Sequence, residues 1–210
     1  CEANTAVPTR CAAGSFGNES GLTSQEGCHD CPAGSACSLG ATAPTPCAAG
    51  SVSNLTNAET CNSCDAGKFM NESGQTACFE CLAGAYCQEG SSAPLPCKEG
   101  SFSSTSGLSS EGQCTACPPG SYCSTGSLDH SLCSPGTVQP EPKQGSCAKC
   151  EAGTYQGGEG QTACFDCDAG SYCAEGASAA LPCPEGTFSS TPGLGSESQC
   201  TTCPAGSSCS

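Results

Sequence analysis

Twenty-five of the 210 residues are cysteine, and their spacing allows three chemistries. Cys61-x-x-Cys64 and Cys78-x-x-Cys81 lie thirteen residues apart, the ribbon-like spacing of a four-thiolate zinc site. A single Cys-x-x-Cys is also the spacing of a thiol redox centre, which needs a βαβ setting that the sequence does not provide. The third chemistry is the disulfide. Cys47, Cys87 and Cys97 decide among them, because they share the same spacing series and have no place in a four-cysteine metal site. Disulfides account for the whole series, so no metal and no cofactor is expected. The two histidines, His29 and His130, stand beside Asp30 and Asp129. A Ser/His/Asp set can be drawn on paper in any chain this rich in serine, so both read as exposed loop residues. No Asp/Asn series has calcium-loop spacing. The expectation is a protein that is not an enzyme.

A second chemistry is covalent sugar. Asn18-Glu-Ser20, Asn54-Leu-Thr56 and Asn71-Glu-Ser73 are acceptor sites for N-glycans. One such triplet is a weak signal, and three in a disulfide-rich chain make a stronger one.

These residues are positioned by a repeat. The cysteines at 11, 28, 31, 37, 47, 61, 64, 78, 81 and 87 recur 86 residues later, at 97, 114, 117, 123, 133, 147, 150, 164, 167 and 173. The series starts a third time with Cys183, Cys200, Cys203 and Cys209. Internal repeats govern the architecture, and this one predicts residues 1–10 as the end of a preceding copy, 11–96 and 97–182 as two full copies, and 183–210 as the start of a third. On this reading the chain is a segment of something longer. Fewer than half the residues of 11–96 and 97–182 are identical, yet neither carries an insertion relative to the other. Independent domains tolerate loop-length drift cheaply. Fixed length with drifting sequence is what a solenoid or filament lattice requires, since each copy must advance the chain equally.

Each copy is built of smaller modules. A module opens with Cys-x-x-Gly, then usually Ser or Thr, then an aromatic or Val, as in Cys11-Ala-Ala-Gly-Ser-Phe16 and Cys117-Pro-Pro-Gly-Ser-Tyr122. The glycine permits the positive φ of a turn, and the residues after it suit a short strand. The aromatic is expected to lie over the nearby disulfide as a small local core. Three module types recur. Long ones have sixteen residues between their cysteines (Cys11 to Cys28), medium ones thirteen (Cys64 to Cys78) and short ones five (Cys81 to Cys87). The nine residues after each short module, such as Ser38–Pro46 and Gln88–Pro96, read as extended, polyproline-like spacers and as candidate O-glycan sites. No apolar period of 3.6 marks an amphipathic helix.

The Cys-x-x-Gly-x-aromatic opening with its Cys-x-x-Cys closing resembles the cysteine-rich modules of tumour-necrosis-factor receptors. It is more similar still to the ephrin-receptor-like repeats of large cell-surface proteins, many from protists and algae. The resemblance covers essentially the whole chain. It implies pairing of each opening cysteine with the first cysteine of the closing pair: Cys11–Cys28, Cys47–Cys61, Cys64–Cys78, Cys97–Cys114, Cys133–Cys147, Cys150–Cys164 and Cys183–Cys200. The remainder then pair locally as Cys31–Cys37, Cys81–Cys87, Cys117–Cys123, Cys167–Cys173 and Cys203–Cys209. The short modules depart from the receptor pattern, in which pairs cross. Cys1 is left for a partner upstream.

Composition agrees with a scaffold of bridges. The chain has no Trp and no Ile, three Val and ten Leu, too little to build a large aliphatic core. The expected fold is therefore a set of small disulfide-rich repeats: an elongated ladder or solenoid of short β-hairpins and loops, with almost no helix and no large hydrophobic core. Disulfides persist in oxidising compartments, so the location is the secretory pathway, the cell surface or outside the cell. No apolar run approaches the length of a membrane span. The net charge is −15, and the five cations, Arg10, Lys68, Lys98, Lys143 and Lys149, are scattered. That excludes nucleic acid and anionic lipid as partners. The expected partners are covalent N-glycans, O-glycans, and further copies of the chain in a fibril. The function this points to is an extracellular structural glycoprotein, a segment of a rod, stalk or filament such as a surface fibril or flagellar hair. A ligand-binding receptor ectodomain is the alternative.

Overall fold

The structure, a computed structural model, describes residues 9–209. Every strand is two residues long, and each pairs antiparallel with one other strand to make a minimal hairpin. Among the described residues there is no α-helix, only three 3₁₀ turns at Gln25–Gly27, Glu111–Gln113 and Glu197–Gln199. By contacts the chain divides into two compact units. One runs to Pro96 and includes Thr105–Cys114; the other takes Cys97–Ser104 and the chain from Thr115. The division falls inside the module that opens at Cys97, not between modules. Cys1 lies outside the described residues.

The local sequence explains the hairpin. In the opening Cys-x-x-Gly-Ser/Thr, the fifth residue turns back on the second: the Ser15 amide and hydroxyl both donate to the Ala12 carbonyl, at 3.0 and 2.8 Å. Ser51, Thr154 and Thr187 repeat the hydroxyl bond to Ala48, Glu151 and Pro184. Between them the glycine has positive φ, +85° at Gly14. Strand Ser15–Phe16 then pairs with His29–Asp30, as Lys68–Phe69 pairs with Phe79–Glu80. The long modules differ from the medium ones by the 3₁₀ turn before the closing cysteine. Gln113 caps it by accepting from the Ser109 and Ser110 amides at 2.7 and 3.2 Å, as Gln199 does from Gly195 and Ser196.

The disulfides are local. Long and medium modules are bridged from opening to closing cysteine: Cys11–Cys28, Cys47–Cys61, Cys64–Cys78, Cys133–Cys147, Cys150–Cys164 and Cys183–Cys200. Short modules are bridged across six residues: Cys31–Cys37, Cys81–Cys87, Cys117–Cys123, Cys167–Cys173 and Cys203–Cys209. Cys97 and Cys114 are disulfide-bonded as well. The short bridges stay inside their own modules and do not cross.

One expectation is corrected. Ser38–Pro46 and Gln88–Pro96 are not spacers. Their last two residues, Thr45–Pro46 and Leu95–Pro96, are the return strands of the hairpins begun by Ser35–Ala36 and Ala85–Tyr86. Proline ends these strands without penalty because a two-stranded ribbon has a free edge on which no N–H is needed. The expected aromatic over a nearby disulfide is present at Phe69, which packs against Cys81, Ala85 and Cys87, the disulfide of the module that follows.

That handover from one module to the next is the organising feature. The opening cysteines from Cys11 to Cys167 are buried, from Cys11 at 3% exposure to Cys81 and Cys117 at 0%, and Cys183 and Cys203 are half-buried. The buried ones form the core together with the second cysteines of the short modules, Cys37, Cys87, Cys123 and Cys173, and with Met70, Ala85, Tyr86, Leu108, Val138 and Leu194. Around them consecutive modules are tied by backbone bonds. The Gly50 amide donates to the Met70 carbonyl at 2.7 Å, and the Gly74 amide to the Cys47 carbonyl at 2.8 Å. The Ser53 amide donates to the Gln75 carbonyl at 3.2 Å, and the Cys64 amide to the Gly50 carbonyl at 2.9 Å. The same four bonds recur as Gly14 to Cys37, Gly40 to Cys11, Gly17 to Ala41 and Cys31 to Gly14. In the second unit they recur as Gly136 to Gln156, Gly160 to Cys133, Gln139 to Gln161 and Cys150 to Gly136.

Candidate functional site

The sites picked out by the sequence fall at fixed places in the module. Asn18, Asn54 and Asn71 are each the seventh residue after an opening cysteine, at Cys11, Cys47 and Cys64. All three are exposed, with exposed acceptor residues Ser20, Thr56 and Ser73. The reason is the residue before each. Gly17, Ser53 and Met70 point inward and are buried, Ser53 and Met70 at 1% exposure. Their amides bond to the next module, at Ala41, Gln75 and Ser91. The chain leaves this anchored residue outwards, so the asparagine projects from a fixed point of attachment. Spacing from the opening cysteine would have revealed this common register in the sequence.

The inward position has a second use. In short modules it holds the second cysteine, Cys37 or Cys87, at 1% and 0% exposure. In medium modules of the second copy it is Gln139 or Gln156. Their side-chain nitrogens donate to the Ser146 and Ala163 carbonyls at 2.7 and 2.6 Å, holding the loop beside the Cys133–Cys147 and Cys150–Cys164 bridges.

His29 and His130 are on the hairpin surfaces. His29 stacks obliquely on Phe16, with ring centres 5.6 Å apart, and His130 on Phe102 at 5.7 Å. The His130 Nδ1 is 2.9 Å from Asp129 Oδ1. Each ring thus has an aromatic neighbour that accounts for its position. Cys61, Cys64, Cys78 and Cys81, the zinc-like quartet, are distributed over three separate disulfides, so these positions offer no thiolate. Among the described residues no group of three or more His, Cys, Asp or Glu is arranged to hold a metal ion.

The second turn of the module escaped the sequence reading. Its central residue lies ten after the opening cysteine, or nine in short modules, and has positive φ: Gly21, Gly40, Asn57, Gly74, Gly90, Gly107, Gly126, Lys143, Gly160, Gly176 and Gly193. Its carbonyl sits against the opening-turn glycine two modules earlier. A Cβ on Gly14 would overlap the Asn57 carbonyl oxygen, on Gly50 that of Gly90, and on Gly136 that of Gly176. On Gly67 it would stand 2.5 Å from the Gly107 oxygen. The Cys-x-x-Gly motif therefore serves two needs, a positive φ and a close backbone approach.

A groove of about 340 Å³ lies beside Asn54, between the module that opens at Cys47 and the one that opens at Cys64. Large apolar side chains are exposed on the return strands: Phe79 at 59%, Leu95 at 45%, Phe165 at 59% and Leu181 at 51%. Phe79 and Phe165 pair with Phe69 and Tyr155 across their hairpins, with ring centres 6.0 and 6.3 Å apart.

No family model and no curated protein sequence matches the chain. What the structure supplies is a cysteine-rich repeat in which disulfides replace a core. Bridges on this scale form and persist in oxidising, secreted or lumenal surroundings. Among the described residues no helix is long and apolar enough to cross a membrane.

Proposed function

We propose that the chain is a repeat segment of an extracellular structural glycoprotein that builds a rod, stalk or filament, such as a surface fibril or flagellar hair. The observation that carries this reading is the set of backbone bonds between consecutive modules. They recur from module to module within each unit, and the opening-turn glycines Gly14, Gly34, Gly50, Gly67, Gly100, Gly120, Gly136 and Gly153 each close on a carbonyl two modules along. Such a chain transmits load through main-chain bonds and disulfides, and its function lies in repetition and not in one site. The ephrin-receptor-like resemblance belongs to the same reading. With a net charge of −15, bare copies repel one another. Association into a fibril then draws on backbone edges, small Ala, Gly and Ser surfaces, and sugars on Asn18, Asn54, Asn71 and the Ser/Thr-rich return segments.

The exposed Phe79, Leu95, Phe165 and Leu181 favour a second reading, a receptor-like ectodomain that offers one apolar patch per copy to a protein ligand. Negative-stain microscopy of native secreted material separates the two. Long uniform fibrils support the structural reading. Isolated short particles, with a soluble protein lost on replacing Phe79 and Leu95 by serine, support the receptor.

A further inference from the structure

We propose that the groove beside Asn54 is a saccharide site, filled in cis by the innermost sugars of the N-glycan carried on Asn54. This rests on reading the chain as a secreted glycoprotein. The groove's position follows from the fold. Ser53 is buried, its hydroxyl donates to the Leu55 carbonyl at 3.1 Å, and its amide is bonded to Gln75 of the next module. The side chain of Asn54 therefore leaves a fixed loop directly in front of Thr76 and Ala77, which with Asn62, Asp65, Lys68 and Val52 line the groove.

The lining has the chemistry of a sugar site. Asn62 and Thr76 offer amide and hydroxyl groups, Asp65 a carboxylate acceptor and Lys68 an ammonium donor, all exposed and able to meet ring hydroxyls and an N-acetyl group. Val52 and Ala77 offer apolar contact for the C–H face of a pyranose. The Lys68 Nζ is 3.8 Å from Asp65 Oδ2, so the two charges are held on the same wall. The volume, about 340 Å³, is at the small end of ligand pockets. An open groove of this size binds a free sugar weakly. A tethered sugar needs no more, because attachment through Asn54 holds it at an effective concentration on the order of millimolar or above.

Asn71 provides the internal control. It has the same register and exposure, but the segment facing it, from Ser91, belongs to a short module without a loop equivalent to Thr76–Cys78. Its glycan is expected to extend into solvent.

The test uses the 210-residue protein secreted from a glycosylating eukaryotic host. Peptide mass spectrometry first gives the occupancy of each asparagine. Native, non-reducing digestion with a peptide N-glycosidase is then followed site by site through the conversion of Asn to Asp. Release from Asn54 is expected to be about fivefold slower than from Asn71, the factor that one net hydrogen bond of ordinary strength supplies. Ala77→Arg, which places a large side chain in the groove at an exposed position, should bring Asn54 up to the Asn71 rate and leave Asn71 unchanged. Equal release at occupied Asn54 and Asn71 in the parent protein overturns the cis site and leaves the glycoprotein reading standing. No glycan at any of the three asparagines overturns both.

Discussion

The modules that open at Cys64 and at Cys81 are neighbours in one unit and differ in how they are locked. Both have the opening-turn glycine, Gly67 and Gly84, and the second-turn glycine, Gly74 and Gly90, all at positive φ. Both form a two-residue hairpin. In the first, the inward position is Met70, and Cys64 reaches forward to Cys78 in the closing pair. In the second, the inward position is Cys87, bonded to Cys81, and the return strand ends at Leu95–Pro96 with no closing cysteine of its own. The hairpin survives the relocation of its bridge. What the two share is the backbone lattice: Gly67 donates to Cys87 as Gly50 does to Met70, and Gly107 donates to Cys81 as Gly90 does to Cys64. The path of the chain is thus set by main-chain bonds and the two turns. The disulfide stabilises that path from either of two positions.

The largest effect should come from attacking what the modules share. Gly50→Ala requires an L-residue at φ +86° and drives a methyl into the Gly90 carbonyl oxygen. The left-handed conformation and the overpacking together cost about 2–5 kcal/mol. Gly74→Ala keeps the first penalty without the second, since its nearest neighbour would be the Pro46 Cβ at 3.8 Å, and should cost about 1 kcal/mol. Repeat arrays do not unfold in one step, so native-state hydrogen exchange is the suitable measurement. Gly50→Ala should deprotect the amides of Cys64 and Gly90 far more than Gly74→Ala deprotects that of Gly74. Equal losses at the two sites would refute close approach as the reason for the Cys-x-x-Gly motif.

The legibility of the fold follows the same division. The 86-residue period, the modules, the hairpins and the absence of a large core were readable because cysteine and glycine occur at fixed intervals. The contacts between modules were not readable, because they are made by main-chain atoms. The carbonyl of Gly90 against Gly50 leaves only a missing Cβ in the sequence, and a positive φ alone already explains a glycine. The return strands were misread because Ser, Thr and Pro carry no strand signal. Pro46 pairs with Ser35 at a ribbon edge, where propensity matters little. The candidate sugar sites were readable as triplets. Their common register, seven residues after an opening cysteine, was readable too, whereas their outward direction depends on Ser53 and Met70 pointing inward. The conservation of length between 11–96 and 97–182 also acquires a physical reason. Bonds between backbone atoms are indifferent to side-chain identity and intolerant of an inserted residue.

The next effect separates the two kinds of lock. In the chain-entropy view, removing a bridge that closes the Cys64–Cys78 loop costs about 3 kcal/mol, and one that closes the shorter Cys81–Cys87 loop about 2 kcal/mol. Burial acts in the opposite direction on reduction. Cys81 and Cys87 are both at 0% exposure, whereas Cys78 is partly exposed and open to thiolate attack. Under limiting reductant with rapid alkylation, Cys78 and its equivalents Cys61, Cys147 and Cys164 should be labelled first. Cys87 and Cys123 should be labelled last, after local opening. Labelling of Cys87 ahead of Cys78 would mean that the short module opens more readily than its burial allows. The paired variants Cys64→Ala/Cys78→Ala and Cys81→Ala/Cys87→Ala test the thermodynamic side by hydrogen exchange in the same two modules.

The smallest effect concerns the second turn, where all but two of the central residues are glycine. Asn57 has φ +62°, a conformation asparagine tolerates. Lys143 has φ +61° and gains nothing comparable from its side chain, which is exposed. Its amide still donates to the Cys117 carbonyl at 2.8 Å, and its carbonyl still packs against Gly100, so the lattice holds lysine in a strained conformation. Lys143→Gly removes a strain of about 1–2 kcal/mol. It also gives the unfolded chain more freedom, which returns roughly 0.5–1 kcal/mol of that gain. The net expectation is a stabilisation of about 0.5–1 kcal/mol, read as slower exchange of the Cys123 and Lys143-position amides. The substitution also removes a cation from a chain that already carries −15, and Lys143→Ala controls for this, since it loses the same charge and keeps the strained φ. A gain with glycine and none with alanine assigns the effect to the backbone. Equal behaviour of the two variants would show that the turn tolerates a side chain at this position without cost.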